Sequence, residues 1–158
     1  MRIAIASDHR GIALRTSIQK LLESWGHSVL DEGTCHEDKV DYPDYAAAVA
    51  GLVMRGEADR GVLVCGTGIG MAIAANKFPG VRASVCCDLQ TAEASRRHND
   101  LNVLCIGADS KDSADWAPLI QVWLETEFEG GRHAARLEKI RQLERQFANT
   151  RPDSARNA

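Results

Sequence analysis

The stretch GVLVCGTGIGMAIAANK, residues 61–77, decides the fold. Its first part is a short apolar run that ends at Cys65, which is typical of a strand buried on both faces of a parallel sheet. Glycines at every second position, Gly66, Gly68 and Gly70, then separate this strand from a helical pattern. A strand, a tight glycine turn and a helix form one unit of a repeating α/β fold.

The same alternation continues along the rest of the chain. Helical patterns separate four further apolar segments that indicate strands, at residues 2–7, 27–33, 81–86 and 101–107. We therefore predict an α/β fold, a three-layer αβα sandwich with a five-stranded parallel, Rossmann-like sheet and an extra C-terminal helix. Residues 1–147 are expected to form a single domain and residues 148–158 a disordered tail.

The composition is that of an ordinary globular protein, because 44% of the 158 residues are hydrophobic and 26% are charged. The net charge of −3 gives no support for binding nucleic acid or a membrane surface, and no apolar run approaches the roughly 20 residues of a membrane span. The five cysteines form no CxxC pair and no zinc-like spacing with histidine, which predicts free thiols and no metal site. Since no signal-peptide pattern is present either, we expect a cytoplasmic protein.

The glycine loop matches neither of the two common nucleotide-binding loops. Its G-x-G-x-G spacing differs from the dinucleotide pattern G-x-G-x-x-G, and Lys77 lacks the glycine before it and the Ser or Thr after it that a P-loop requires. Alternate glycines still allow several backbone N–H groups to converge on an anion. A tight turn without a ligand also fits, although a place at the carboxyl edge of the sheet favours a ligand.

Cys65 ends the strand and opens this loop. Backbone N–H groups and a helix N-terminus favour the thiolate form of a cysteine, which is a competent base or nucleophile. The alternative is a small buried hydrophobic residue, the usual role of cysteine in a strand. We prefer that second interpretation for Cys86, Cys87 and Cys105, while Cys35 lies on a loop without an evident partner.

Three further places carry residues that suit chemistry. Asp8 and His9 follow the first strand at the same edge of the sheet, where they fit acid–base work, although Asp8 could instead cap the next helix. His98 ends a helical pattern, a position that also suits a capping or surface residue. Arg132 and Arg136 are four residues apart on one helix face, as either a phosphate clamp or a solvated basic face.

Five motifs in one order resemble the ribose-5-phosphate isomerase B family, which is related to the galactose-6-phosphate isomerase subunits. They are SDHRG (7–11), DYPDYA (41–46), CGTGIGMAIAANK (65–77), RRHND (96–100) and EGGRH (129–133). The resemblance covers residues 1–147, and its specificity lies in the combination, because each motif alone is weak.

This resemblance implies an enzyme, an aldose–ketose isomerase that interconverts ribose 5-phosphate and ribulose 5-phosphate through a cis-enediolate. Carried over by motif, Cys65 looks like the base that moves the proton between C1 and C2, and Thr67 belongs to the loop that holds the enediolate oxygens. His98 looks like the group that opens the furanose ring, with help from Asp8. The other positions that match substrate-binding residues are His9, Gly66, Gly68, Ile69, Gly70, Asn99, Arg132 and Arg136.

The resemblance also implies how the enzyme assembles and that it uses no metal or organic cofactor. Family members are dimers or dimer pairs whose active sites draw on both subunits, so a homodimer or tetramer with its active site at the subunit interface is expected. An apolar stripe on the predicted C-terminal helix fits this assembly, because such a stripe has to cover either its own domain or a second subunit.

One position departs from the family. After the fifth strand the pentose enzymes tend to read Gly-Ser-Arg, and that arginine joins the phosphate site, whereas here Asp109 stands in its place. A carboxylate close to a phosphate dianion is unfavourable. Either Asp109 turns away, or Lys111 supplies the missing charge, or the substrate is a tetrulose or hexose phosphate. Two other classes stay open. One is a cysteine hydrolase built on Cys65, His98 and either Asn99 or Asp100, and the other is a nucleotide-binding module, which the loop spacing disfavours.

Overall fold

The computed structural model describes residues 1–109 and 116–148. Strands and helices alternate in the order β1 Arg2–Ser7, α1 Ile12–Ser24, β2 Ser28–Asp31, α2 Tyr42–Met54, β3 Arg60–Cys65, α3 Ile69–Ala75, β4 Ala83–Val85, α4 Leu89–Asn99, β5 Val103–Gly107, α5 Ala117–Glu125 and α6 Arg132–Ala148. The strands form one parallel sheet in the order β2-β1-β3-β5-β4. The predicted α/β sandwich with an extra C-terminal helix is confirmed.

The two faces of the sheet bury different side chains, because successive residues of a strand point to opposite sides. One face, which includes Ile5 and Val62, packs against α1, α4 and α5, where Trp123 is fully buried. The other face, which includes Leu63 and Cys65, packs against α2 and α3. The Cys65 side chain therefore lies on the α2–α3 side of the sheet.

The edge strands are shorter than the sequence predicts. β2 and β4 lie at the two edges of the sheet and occupy only part of the predicted segments 27–33 and 81–86. Val81 and Cys86 flank β4 and are still buried, at 4% and 1% exposure. The Cys86 N–H still donates to the Cys105 carbonyl of β5 at 3.4 Å, whereas the Val81 N–H donates to the Phe78 carbonyl, so at Val81 the apolar residue indicates burial in the core without strand pairing.

Local signals place the helix ends where the sequence predicts them. Pro43 and Pro118 lie in the first turns of α2 and α5, where a missing N–H breaks no helical hydrogen bond. Asp88 caps α4, because its side chain accepts a hydrogen bond from the Thr91 backbone N–H at 2.7 Å. Gly26 follows α1 with a φ of 81°, which is a common way to end a helix.

The order of the strands creates a crevice at the carboxyl ends of β1 and β3. From β1 the chain continues to β2 on one side, and the next strand, β3, lies on the other side, which is where ligands bind in sheets of this kind. Ser7 pairs with Val64, and the Asp8 N–H donates to the Val64 carbonyl at 3.3 Å. The segment after β1 therefore lies beside Cys65.

The predicted domain boundary at residue 147 falls within the last turn of α6. Residues 149–158 of the predicted tail and Lys111, a candidate for the missing phosphate charge, lie outside the described residues. Among the helices in the described ranges, none combines the length and the apolar character that crossing a membrane requires.

Candidate active site

The loop after β3 wraps around the Cys65 sulfur. Cys65 is 6% exposed, and the Gly68 N–H donates to its Sγ at 3.1 Å. Gly68 has a φ of 76°, in the left-handed region that favours glycine, and a Cβ there would lie 3.1 Å from the backbone of Ile106. Glycine is thus required for the turn that aims this N–H at the thiol.

The end of β5 holds the same loop from the other side. The Ala108 N–H donates to the Cys65 carbonyl at 2.8 Å, and the Asp109 N–H donates to the Gly66 carbonyl at 3.0 Å. The exposed Thr67 hydroxyl accepts a hydrogen bond from the backbone N–H two residues further on, at 3.3 Å. These bonds fix the backbone of the loop and leave the Thr67 side chain open to solvent.

Tyr42, the first residue of α2, lies against the first turn of α3. A Cβ on Gly70 would come within 2.7 Å of the Tyr42 ring, so only glycine lets the ring approach this closely. Tyr42 is not among the site residues predicted from the sequence, although it lies within the DYPDYA motif. The ring forms one wall beside the loop and is 39% exposed.

Asp8 and His9 both accept backbone hydrogen bonds beside the loop. Asp8 is 5% exposed, and its Oδ1 accepts from the Arg10 N–H at 2.9 Å. Gly11 is the N-cap of α1 and no side chain caps that helix, so the capping alternative for Asp8 is wrong. His9 Nδ1 accepts from the Val40 N–H at 3.3 Å, which leaves Nε2 to carry the proton of a neutral ring and to donate it to an anion.

Asp109 does not turn away from the loop but forms an ion pair with Arg10. Arg10 Nη2 donates to Asp109 Oδ2, and both side chains are about half exposed. The pair lies directly over Gly66, since a Cβ there would come within 2.7 Å of Oδ2 and 3.1 Å of the Arg10 guanidinium carbon. Arg10 lies within the SDHRG motif but is not among the site residues predicted from the sequence.

The other cysteines differ from one another in burial. Burial raises the pKa of the Cys86 and Cys105 thiols, so both stay neutral within the core as predicted. Cys87 is exposed, so the prediction of a buried residue is wrong there, because the chain leaves β4 before it. Cys35 is also an exposed free thiol.

His98 stacks against His133 at the far end of α4. The ring centroids are 4.4 Å apart with an interplanar angle of 9°, and Glu129 Oε2 lies 3.9 Å from His98 Nε2. His133 is 4% exposed, and burial together with the neighbouring His98 holds its pKa below the usual value for histidine. A neutral His133 therefore supports one face of the partly exposed His98 ring.

His98, Glu129 and His133 have ligand atoms within 4.8 Å of one another. The nitrogen lone pairs of each imidazole lie in the plane of its ring, and the two ring planes here are nearly parallel. A metal ion about 2.0–2.1 Å from both nitrogens would have to lie in both planes at once. The stacked arrangement therefore does not fit a shared metal ion.

Buried ion pairs fix the end of α4. Arg96 is 3% exposed and pairs with Asp100 at 2.8 Å, and Asp100 also pairs with Arg82 at 2.8 Å. Asp100 has a φ of 45°, an unusual conformation outside glycine that these two arginines stabilise. The preceding residues, His98 and Asn99, are consequently held on a rigid helix end.

Arg132 and Arg136 lie on the exposed side of α6, next to His98. Arg132 Nε donates to His133 Nε2 at 3.3 Å, and the charge of Arg136 acts on the same ring. Neither arginine forms an ion pair with another residue in the described part of the chain. Two positive charges on one helix face thus remain available to an anion.

The predicted site residues form two groups at opposite ends of the parallel strands. The loop group, at the carboxyl edge, comprises Asp8, His9, Cys65, Gly66, Thr67, Gly68, Ile69 and Gly70. The histidine group, at the end of α4 and the start of α6, comprises His98, Asn99, Arg132 and Arg136. Across residues 1–109 and 116–148, no hydrogen bond or ion pair joins a side chain of one group to the other.

The contacts at the amino end of β3 show how far the histidine group lies from the loop group. The Gly61 N–H donates to the Asn102 carbonyl at 2.8 Å, which places the segment after α4 beside the start of β3. Cys65 is four residues further along β3, roughly 13 Å away at the rise of a strand. Within one chain, the loop group and the histidine group therefore lie at two separate places.

The fold and the loop group together define a class of protein. A Rossmann-like sheet carries, at its switch point, a thiol that accepts a hydrogen bond from one backbone N–H, and a buried carboxylate and a histidine follow the neighbouring strand. This arrangement suits the transfer of a proton next to a developing oxyanion, which is the chemistry of an aldose–ketose isomerase. The chain belongs to the ribose/galactose isomerase family, whose model matches residues 3–140.

Similar proteins carry names that agree with this family. Ribose-5-phosphate isomerase B of Escherichia coli (strain K12) is 44% identical over 143 residues, which cover 90% of this chain and 96% of that protein. A solved structure of ribose-5-phosphate isomerase B from Clostridium thermocellum has a TM-score of 0.90 and 45% identity, covering 93% of this chain and 99% of the other.

A second solved structure contains a ligand. The Mycoplasma genitalium enzyme, named as ribose-5-phosphate isomerase B with bound ribulose-5-phosphate, has a TM-score of 0.87 and 39% identity, covering 92% of this chain and 97% of the other. The family and the isomerase class predicted from the five motifs are confirmed by these matches.

Proposed function

We propose that this protein interconverts ribose 5-phosphate and ribulose 5-phosphate through a cis-enediolate. The observation that carries the proposal is the Gly68 N–H on the Cys65 sulfur, at the switch point of a sheet shared with the ribulose-5-phosphate-bound relative. The Gly68 N–H holds the sulfur in place, and the crevice at the switch point lies in front of it. Both features suit a base that acts on a bound sugar phosphate.

The reaction needs two things that the loop group supplies together. A proton next to a carbonyl is weakly acidic, so the barrier falls mainly through stabilisation of the developing oxyanion, which is worth about 2.7–4 kcal/mol for each well-placed donor. Cys65 takes the proton from C2 of the aldose and returns it to C1, and a positioned base contributes roughly 10²–10⁴ in rate. The backbone from Gly66 to Gly70, with Thr67, holds the enediolate oxygens.

The histidine group completes the site in this proposal. His98 opens the furanose ring, assisted by Asp8, and Asn99 binds a sugar hydroxyl. Arg132 and Arg136 bind the phosphate together with His9 from the loop group. Within one chain the two groups lie at opposite ends of the strands. The histidine group that completes each loop group therefore comes from a second copy of the chain.

Exposed apolar side chains support a homo-oligomer, either a dimer or a pair of dimers. On α3, Ile69 and Ile73 are 57% and 58% exposed, and on α6 Ile140 and Leu143 are 43% and 54% exposed. A cavity of about 520 Å³ opens between α6 and the edge strand β4. Exposed apolar surface of this kind beside the histidine group is typical of a protein–protein interface.

Turnover and isotope exchange test the reaction. We expect conversion of ribose 5-phosphate to ribulose 5-phosphate, with solvent deuterium entering the sugar at the exchanged carbon. The assay includes tetrose and hexose phosphates, because the carboxylate of Asp109 beside the loop is the feature that favours a different sugar. Turnover of a tetrulose or hexose phosphate alone would overturn the pentose substrate, and an acyl-enzyme without exchange would establish a hydrolase.

Subunit complementation tests the divided site. Cys65→Ala and His98→Ala are each expected to lower kcat by about 10²–10⁴ while folding normally. When the two variants are unfolded and refolded together, half of the dimers are mixed, and each mixed dimer holds one complete site. Activity should then recover to about a quarter of the wild-type value. No recovery in mixed dimers of verified composition would show that both residues act within one chain.

A further inference from the structure

The ion pair between Arg10 and Asp109 is a feature of the carboxyl edge that the proposed reaction does not yet use. We propose that Arg10 binds the phosphate of the substrate, and that Asp109 is the positioning residue that holds the Arg10 guanidinium over the cysteine loop. This inference rests on the proposed function, because it assigns a further substrate contact to the same site.

Arg10 is anchored at two points beside Cys65. Its backbone N–H donates to Asp8 Oδ1 at 2.9 Å, and its Nη2 donates to Asp109 Oδ2. Asp109 is in turn fixed through its own N–H, which donates to the Gly66 carbonyl at 3.0 Å. Backbone and side-chain bonds thus place the guanidinium over the first residue of the loop, 3.1 Å from where a Cβ of Gly66 would lie.

The charges around the loop require a cation at this place. Asp8 and Asp109 both border the loop, and two carboxylates would repel a phosphate dianion. Arg10 lies between them and bonds with both residues. Its Nε and Nη1 groups form no hydrogen bond within residues 1–109 and 116–148, so they remain free to bind an anion in the fork geometry that phosphate favours.

Exposure separates a role at the phosphate from a role at the reacting carbons. The Arg10 side chain is 56% exposed, whereas the Cys65 thiol that acts on the sugar is 6% exposed. The reacting end of the substrate therefore lies inside the loop, and the rim where Arg10 stands suits the other, charged end.

Steady-state kinetics of Arg10→Ala test the proposal. We expect KM for ribose 5-phosphate to rise at least about tenfold, which corresponds to about 1.4 kcal/mol, with kcat within threefold of the wild type. The inhibition constant for inorganic phosphate should rise by a similar factor. Arg55→Ala is the matched control, because Arg55 is also a half-exposed, ion-paired arginine but lies at the end of α2, and its KM should not change.

Further variants separate the roles of the two residues of the pair. Arg10→Ala/Asp109→Arg puts a guanidinium on the opposite side of the same gap, and KM should return to within about threefold of the wild type, which a structural role for Arg10 would not produce. Asp109→Ala should raise KM with kcat retained. Asp109→Glu, which keeps the carboxylate, should have a KM close to that of the wild type. Arg10→Gln replaces Arg10→Ala if the latter unfolds.

The outcomes distinguish this inference from the function on which it rests. An absence of isomerase turnover in the wild-type protein would remove the proposed function itself. Normal turnover with an unchanged KM in Arg10→Ala would overturn the phosphate role of Arg10 alone. A fall in kcat at constant KM in Arg10→Ala would place Arg10 at the enediolate and would also overturn its phosphate role. A lower KM in Asp109→Ala would overturn the positioning role of Asp109.

Discussion

Gly68→Ala separates the geometry of the cysteine loop from its stability. A non-glycine residue in the left-handed region costs roughly 1–2 kcal/mol. The added Cβ would also meet the Ile106 backbone, with its C, N and O atoms at 3.1, 3.2 and 3.3 Å. Ile106 lies in β5, which is paired with strands on both sides and cannot move away, so the turn itself must shift.

The shift carries the Gly68 N–H away from the Cys65 sulfur. A hydrogen bond to a charged group contributes about 1.5–3 kcal/mol, so its loss should lower kcat by roughly 10- to 150-fold. Gly26→Ala is the control, because Gly26 has a similar φ of 81° and nothing lies within 4 Å of a Cβ there. Gly26→Ala should lose about 1–2 kcal/mol in urea unfolding and Gly68→Ala at least as much, and only Gly68→Ala should lose kcat. A Gly68→Ala enzyme with kcat within threefold of the wild type would refute this account of the loop.

Two further predictions concern buried charges. Gly33→Ala should lose about 3 kcal/mol in urea unfolding, since its Cβ would lie 1.6 Å from Nη1 of the buried Arg15 and force that charge from its ion pair with Asp31; a loss below about 1 kcal/mol would contradict this. The lowered pKa of His133 means that the unfolded chain binds this proton first as pH falls, so stability should decrease from about pH 6.5 towards the lower folded-state pKa. The decrease should be smaller in His133→Gln, and equal pH profiles for both proteins would contradict it.

Local patterns were enough to predict the fold and the centre of the loop group. Apolar segments that alternate with helical periodicity specify a parallel α/β sheet, and the carboxyl-edge rule then brings Asp8 close to Cys65. The strand ends at β2 and β4 were harder to predict, because residues such as Val81 are buried without strand pairing.

Contacts between distant segments could not be predicted from spacing. Arg10 and Asp109 are 99 residues apart, and nothing in the local sequence of either residue predicts that they pair. His98 and His133 likewise meet only because α6 packs back towards α4. All four positions were notable in the sequence or lay within a motif, but only the folded chain shows which side chains touch.

The position of the two site groups at opposite ends of the strands has a consequence for the newly made chain. On the proposed division of the active site, a folded monomer holds a thiol loop at one edge and a phosphate clamp at the other, and no complete site anywhere. Specific activity then becomes a measure of assembly and falls on dilution below the dissociation constant of the dimer. The concentration of the chain itself would decide when the enzyme begins to work.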